Sequence, residues 1–316
     1  PVTKISSLAD YEKLFGTFFE NGSFYESVRL FYANGGEVCY IVPVVHYFSD
    51  KDIDKDYLKN QDGSDYEKAL SALTKIDEIT LIVLPDVHKK LEQSAAFSVQ
   101  QDAISHCAAM KDRFAILDVP DTGNVDADIL NFRNNISNRA EERRYAAAYY
   151  PDVKVSFASE RDDLQDMVFE KLTEGEQKPY LWETIKAAEL EKNDQRLQDE
   201  ARKLVGESAD DIAFKSEYDK LKEAFSDSLE AMKDAMTEEY RKNNLPNDLA
   251  FVKKRDELLS KLSKVPSSGA IAGIYSAVDS RSGVWQAPAN IGISSISAVN
   301  TYLSDKDQDN MNVDSF

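Results

Sequence analysis

Few residues in this chain are of a type that does chemistry, and their spacing limits what each could do. Asp86 and His88 follow the apolar run Ile79 to Leu84 (ITLIVL), which ends at Pro85. If that run is a buried strand of an open parallel sheet, its carboxyl end is where such sheets hold ligands. The pair is therefore the place to look for chemistry, although one Asp and one His two positions apart complete no site and otherwise read as ordinary loop. The other histidines, His46 and His106, stand in no catalytic pattern. Asp50, Asp52, Asp54 and Asp56 alternate along an acidic stretch from Phe48 to Asp65, but lysines interrupt them and no glycine takes the sixth position of a calcium loop. A solvated loop is expected there. Gly35-Gly36 precedes a strand pattern rather than a helix, so it lacks the helix N-terminus that a phosphate loop uses. Cys39 and Cys107 fit neither a disulfide framework nor a metal cluster and read as small buried residues. Arg133, Arg139, Arg143 and Arg144 could hold phosphate; in so acidic a chain, salt pairing with a neighbouring subunit is preferred. A nucleophile elbow, a GxGxxG fingerprint or a P-loop would mark a hydrolase or a nucleotide-using enzyme on an α/β scaffold, and the sequence has none of the three.

The elements that would position these residues alternate. Ser7 is a candidate N-cap for a helix with Leu8, Tyr11, Leu14 and Phe15 at helical spacing, stopped by Gly16. A second helix, Ser23 to Asn34, places Phe24, Val28 and Phe31 on one face and closes at Asn34-Gly35-Gly36, where glycine supplies the positive φ of a C-cap. Glu37 to Val45 is β-branched and aromatic and reads as a strand. Then follow a helix over Tyr66 to Lys75, the strand Ile79 to Leu84, a long helix over Leu91 to Lys111, and the strand Arg113 to Val119 ended by Pro120. Asp121 to Val125 is a turn, Ala127 to Arg144 a helix and Tyr145 to Val155 a fourth strand. The order implies a parallel or mixed sheet covered by helices on both faces.

The composition changes from Leu164 to Lys264, which is polar, charged and without strand signals. Phe214, Tyr218, Leu221, Phe225, Leu229, Met232, Met236 and Tyr240 recur at steps of three or four, one apolar stripe on a helix of several turns. Trp182, Ile185 and Leu190 predict a preceding helix, and Leu249 to Leu262 a following one. The stripe reads as the seam of a helical hairpin.

With 316 residues the chain is long enough for a sizeable core. A formal net charge of -19 argues against nucleic acid as a partner and would keep a crowded assembly soluble. No apolar run of about 18 residues is present to span a bilayer as a helix. The chain opens at Pro1 without a methionine or a secretory signal, which suggests a trimmed piece of a longer protein.

The most unusual stretch is Val265 to Asn290, VPSSGAIAGIYSAVDSRSGVWQAPAN. Gly269 and Gly273 allow close backbone approach. Ala270 to Tyr275 reads as a buried strand or short helix, Asp279 to Gly283 as a turn, and Ile291 to Leu303 as a last strand. This block resembles that of contractile tail sheath proteins, the family shared by contractile phage tails, contractile bacteriocins and phage-tail-like injection particles. Its members show a PPSG-like turn, AGxYxxxD and RGVWxAPAN. Here the matching residues are Pro266, Gly269, Ala272, Gly273, Tyr275, Asp279, Gly283, Val284, Trp285, Ala287, Pro288 and Asn290. The chain departs at Ser267 for the second proline, at Arg281 for a shifted arginine and at Gln286 for the usual lysine. Gly35 and Gly36, within an LFYANGGxxCYIVPV order, and Tyr149-Tyr150-Pro151, with Asp152 in place of a tryptophan, are similar to further elements of that family.

The resemblance implies an α/β core with a mixed, mainly parallel sheet and subtilisin-like topology. Residues 1–164 and 265–316 would form the core, and residues 165–264 a helical insertion, of which Pro179 to Asn244 would lie on the outside of a particle. The family's N-terminal arm and C-terminal domain would be absent. The implied function is structural: a subunit that polymerises around an inner tube and contracts to drive that tube through a target envelope. The implied partners are other sheath subunits in a helical homo-oligomer, the inner tube protein, and baseplate and terminator proteins, with no nucleic acid, no membrane insertion, no cofactor, no metal and no catalytic residue. It would be made in a bacterial cytoplasm and assembled into a virion tail or phage-tail-like particle.

Overall fold

The structure is a computed structural model that describes residues 2–18, 22–44, 63–161, 164–172, 181–206 and 210–312. His46, Asp50, Asp52, Asp54 and Asp56 lie outside the described residues. The chain forms two compact units, Pro1–Ala158 with Leu262–Phe316, and Ser159–Lys261.

The first unit begins with β1 (Thr3–Ile5), α1 (Leu8–Phe15), α2 (Phe24–Ala33) and β2 (Cys39–Ile41). β1 and β2 pair antiparallel, with Thr3 opposite Ile41. The Asp10 N–H donates to the Ser7 side chain, Gly16 ends α1 at φ 81, and Gly35 follows α2 at φ 95. α2 buries Tyr25, Val28 and Leu30 together with Ser27, rather than the single face of Phe24, Val28 and Phe31. The reason is that it packs on two sides: Tyr25 and Val28 join Tyr11 and Ile41 in one cluster, while Ser27 and Phe31 present their backbone to another helix.

After α3 (Ser64–Leu73) come β3 (Leu81–Val83), α4 (Val87–Lys90), α5 (Gln93–Met110), β4 (Phe114–Asp118), α6 (Val125–Asn135), α7 (Ala140–Arg143) and β5 (Ala146–Tyr149). β3, β4 and β5 form a parallel sheet in that order, with Leu81 opposite Phe114 and Asp118 opposite Tyr149. Side chains alternate along β4, as a strand requires. Ala115 and Leu117 enter the main core with Phe97, Ile104 and Cys107 of α5, while Phe114 stacks on Tyr275 and Asp118 reaches Ser268 on the other face. Helices therefore cover both faces, and β4 is the buried central strand.

The helix expected over Ala127 to Arg144 is broken. Ile136 is extended (φ -92, ψ 95) and buried, so the break lets its side chain join the core, and the Gln101 amide donates to the carbonyl of Asn135 at 2.8 Å. The strand expected over Tyr145 to Val155 is two. β5 ends at Tyr149, Pro151 has no N–H to offer a ladder, and β6 (Val153–Val155) enters a separate antiparallel sheet between β7 (Lys264–Val265) and β8 (Ile296–Val299). The described strands thus form a mixed α/β arrangement of three small sheets, of which β3-β4-β5 is parallel, in place of one mainly parallel sheet. Ala270 to Tyr275 belongs to a 15-residue helix that runs through the expected turn to Ser282 and stops at Gly283, φ 95.

The second unit contains α8 (Leu164–Leu172), α9 (Leu181–Val205), α10 (Asp211–Ala231), α11 (Lys233–Asn243) and most of α12 (Leu249–Leu262). α9 and α10 pack together: Leu181, Trp182 and Ile185 are buried with Leu229, flanked by Phe225, Met236 and Tyr240. The expected single stripe bends at Met232, whose side chain is exposed, so Phe214 to Leu229 and Met236 to Tyr240 lie on two helices. In the numbering used below, Ser268–Ser282 is α13 and Asp305–Asn312 is α14.

Candidate functional site

The carboxyl ends of the parallel strands, the place to look for chemistry, are filled by carboxyl groups that hold helices. Asp86, three residues after β3, accepts the N–H and hydroxyl of Ser23 at 2.6 and 3.0 Å, at the head of α2. Asp118, the last residue of β4, accepts the N–H of Ser268 at 2.9 Å and contacts its hydroxyl at 2.5 Å, at the head of α13. A carboxyl group at a helix N-terminus accepts from N–H groups that have no partner within the helix. All four residues are buried.

α2 and α13 then run side by side in the same direction. A Cβ added to Gly269 would lie 2.5 Å from the carbonyl oxygen of Ser27, and one added to Gly273 would lie 2.3 Å from that of Phe31. Gly35 continues the series against Ala277, at 2.7 Å. The contact is backbone on backbone and only glycine permits it. Ala272 is buried in the same helix. Beside it, the Tyr275 and Tyr149 hydroxyls meet at 3.0 Å. At the far end, Asn34 accepts from the Ser294 N–H at 2.7 Å and donates to its carbonyl at 3.3 Å, as a neighbouring strand would.

Asp121 forms a second cluster just past β4. One oxygen accepts from Thr301 Oγ1 at 2.7 Å and from the Gly123 N–H at 3.1 Å, and the other from Asn300 Nδ2 at 2.9 Å and from the Asp152 N–H at 3.2 Å. Lys264 donates to its carbonyl. Tyr150 donates to Asp128 at 3.2 Å, which also holds Thr122. Burial pushes the Asp121 carboxyl up, but the hydrogen bonds from Asn300 and Thr301 and the Lys264 charge outweigh it, so its proton affinity falls below the usual range. Asp152 is raised to about 6 by burial and by Asp121, against the Lys264 ammonium 3.6 Å away. Asp118 is pushed up to about 7, first by burial and then by Asp152, with the Ser268 donors opposing.

The remaining chemistry-bearing residues are dispersed. His88 stands edge-on to Phe97, and burial lowers it to about 4, so it stays neutral near pH 7. Burial first, and then the Arg113 charge, also depress His106. Arg113 itself is buried and donates to the carbonyls of Leu73 and Ile76 at 2.9 and 2.8 Å, tying the end of α3 to the start of β4. Cys107 is buried in the core and Cys39 is half-buried beside Tyr32. Arg133 donates to the carbonyls of Asn310 and Met311 in α14, so it pairs within this chain. Among the described residues, no group of three His, Cys, Asp or Glu side chains is placed to hold a metal ion.

The family-like block divides into two parts. Pro266, Gly269, Ala272 and Gly273 are buried, Asp279 caps α13 through its carbonyl to the Gly283 N–H, and Tyr275 joins Tyr149. Val284 and Trp285 are 82% and 84% exposed, followed by exposed Ala287, half-buried Pro288 and Asn290 at φ 58. Gly36 lies against the Phe31 ring, and Tyr150-Pro151 reaches the Asp121 cluster through the Tyr150 hydroxyl. Sequence reading missed Asp118, Asp121, Asn300 and Thr301. An aspartate closing the buried run RFAILD was the one available signal, since such a position demands a partner.

A cavity of about 820 Å³ is lined by residues 39–44 at β2 and 79–85 at β3, with Phe24, Phe31 and Tyr66 also on its wall. Both strands are edges of their sheets among the described residues.

A scan against protein-family models finds no match, and a search of curated proteins finds none. Among solved structures, the chain is similar to the anti-feeding prophage helical sheath in its contracted state, with TM-score 0.47 and 17% identity over 100% of this chain and 52% of that one. It is also similar to the anti-feeding prophage baseplate, with TM-score 0.44 and 16% identity over 98% of this chain and 51% of that one. The chain spans about half the length of the structures it matches.

Proposed function

We propose that this chain is the core of a contractile tail sheath subunit, a structural protein that polymerises around an inner tube and works by exchanging neighbours rather than by catalysis. The observation that carries this reading is the use made of the family-like block. Its glycines bind two helices backbone to backbone, while Val284 and Trp285 stand out in solvent on a loop fixed by the Asn34–Ser294 pair. A body rigid within and adhesive at its surface suits subunits that must turn as units while their contacts change. The carboxylates at the strand ends support the same reading, because their lone pairs are engaged by Ser23, Ser268, Asn300 and Thr301.

The cavity between the β2 and β3 edges supports strand exchange, since consecutive residues on both walls border it and both strands are sheet edges among the described residues, where an added strand could pair. The order β3-β4-β5 is compatible with a subtilisin-like centre. In this reading, residues 1–164 and 265–316 are the sheath core and residues 165–264 a helical insertion, of which Pro179 to Asn244 lies on the outside of the particle. The partners are further sheath subunits, the inner tube, the baseplate and the terminator, in a virion tail or phage-tail-like particle assembled in a bacterial cytoplasm. Neither nucleic acid nor membrane insertion has a part in it. Negative-stain microscopy of the full-length protein tests this: tubes with a regular helical repeat support it, and monodisperse globules with or without the inner tube protein overturn it.

A further inference from the structure

We infer that Asp118 is a pH-sensitive latch: as the acid it keeps the first turn of α13 seated on the sheet, and its ionisation loosens that turn. The geometry sets up a conflict at one carboxyl group. Its two partners, the N–H and hydroxyl of Ser268, and the adjoining helix end favour the charged form. Its site, 5% exposed at the end of the central strand, disfavours any charge. No cation pairs with it among the described residues.

The groups around it do not relieve the conflict. From α5, Gln100 donates to the Asp118 carbonyl rather than to its carboxyl, at 2.9 Å. From α4, the His88 ring lies against that same carbonyl, and burial keeps it neutral above about pH 5. From β5, Tyr149 is the cross-strand neighbour, and burial and the Tyr275 hydroxyl hold its proton well above the ordinary range. Asp152, beyond β5, adds a negative charge as it ionises. Lys264, Lys89 and Asp121 bear on Asp152, and Lys264 pairs with Asp152 at 3.6 Å. Burial together with Asp152 therefore outweighs the Ser268 donors.

The sign follows from linkage. A carboxyl whose proton is held more tightly in the folded chain contributes stability that is complete below its unfolded value near 4 and is lost as pH rises through about 7. Asn is the neutral isostere: Asp118→Asn can accept from the Ser268 N–H and donate to its hydroxyl at every pH.

The test is amide hydrogen exchange of Ser268 to Ile271 in the whole chain at pH 6 and pH 8, with intrinsic rates corrected for pH. Protection in the parent chain is expected to fall about tenfold between the two, and in Asp118→Asn to stay constant. Equal protection at both pH values in the parent, or the same fall in Asp118→Asn, overturns the latch. So does a fall that Asp152→Asn abolishes while Asp118→Asn does not, because the proton then belongs to Asp152. Should Asp118→Asn fail to fold, the ¹³C carboxyl resonances of the parent decide. One that titrates near pH 7 and moves in Ser268→Ala supports the latch; carboxylates all ionised from pH 5 to 8 overturn it.

Discussion

Asp118 and Ser268 stand 150 positions apart in the chain and meet twice, at the serine N–H and at its hydroxyl. Asp86 and Ser23 repeat the arrangement one strand over, across 63 positions. A carboxyl group at or just past the end of each of two adjacent parallel strands thus holds the head of one of two co-directional helices.

Asp86→Ala is expected to cost about 3 kcal/mol, because it strands a buried N–H and hydroxyl at the head of α2. Ser23→Ala, which removes only the hydroxyl, is expected to cost about 1 kcal/mol. Denaturant unfolding of both variants measures the difference, and equal costs would remove Asp86 from its anchoring role.

Gly273→Ala is expected to destabilise by about 1–3 kcal/mol, since its methyl would sit 2.3 Å from a carbonyl oxygen that belongs to a helix and cannot swing aside. Gly292→Ala is the control, with nothing within 4 Å of the new methyl, and should change the unfolding midpoint little. Similar effects at both positions would show that the helix contact is looser than described.

His88 gives the fold a pH dependence opposite to that of Asp118. Its folded value of about 4 lies below the ordinary 6.5, so the unfolded chain takes up a proton that the folded chain refuses. Stability from this group is present above pH 6.5 and is lost as pH falls toward 4, by up to about 3 kcal/mol. The stability of the parent chain minus that of His88→Gln, followed from pH 7 to pH 4.5, isolates it. A flat difference would mean that the ring is hydrated.

Trp285→Ala is expected to leave the stability of this chain within about 0.5 kcal/mol, because the side chain is 84% exposed. In the full-length protein the same change is expected to lower polymer yield, read by sedimentation. Unaltered polymers would place the subunit contacts elsewhere and leave the fold untouched.

Replacing residues 160–261 by a short Gly-Ser linker is expected to preserve the first unit. The chain leaves it after β6 and returns in β7, and those strands are paired, with Lys154 opposite Lys264. Two ends already held at strand spacing need little closure entropy. Retention of the parallel-sheet core in the near-ultraviolet circular dichroism of the shortened chain checks this, and its loss would show that the first unit depends on the excised residues.

Local signals were legible and long-range ones were not. The Ser7 cap, the Gly16 stop and the Asn34-Gly35 end are written in adjacent residues, and the structure follows them. Locally α13 shows only the short apolar run Ala270 to Tyr275 bounded by turn residues, which reads as a buried strand or short helix. Its 15 residues hold together through α2, a contact no local pattern encodes. Ile136 and Pro151 broke elements that periodicity ran together, because a core position and a separate sheet claimed the flanking residues. Asp121 looked like part of a plain DTG turn, since Asn300 and Thr301 arrive from far along the chain.

The glycine seam between α2 and α13 has a mechanical corollary. With carbonyl oxygens where side chains would usually interleave, there is no compliant layer for one helix to slide upon. A load on either helix is therefore shared with the other along the seam.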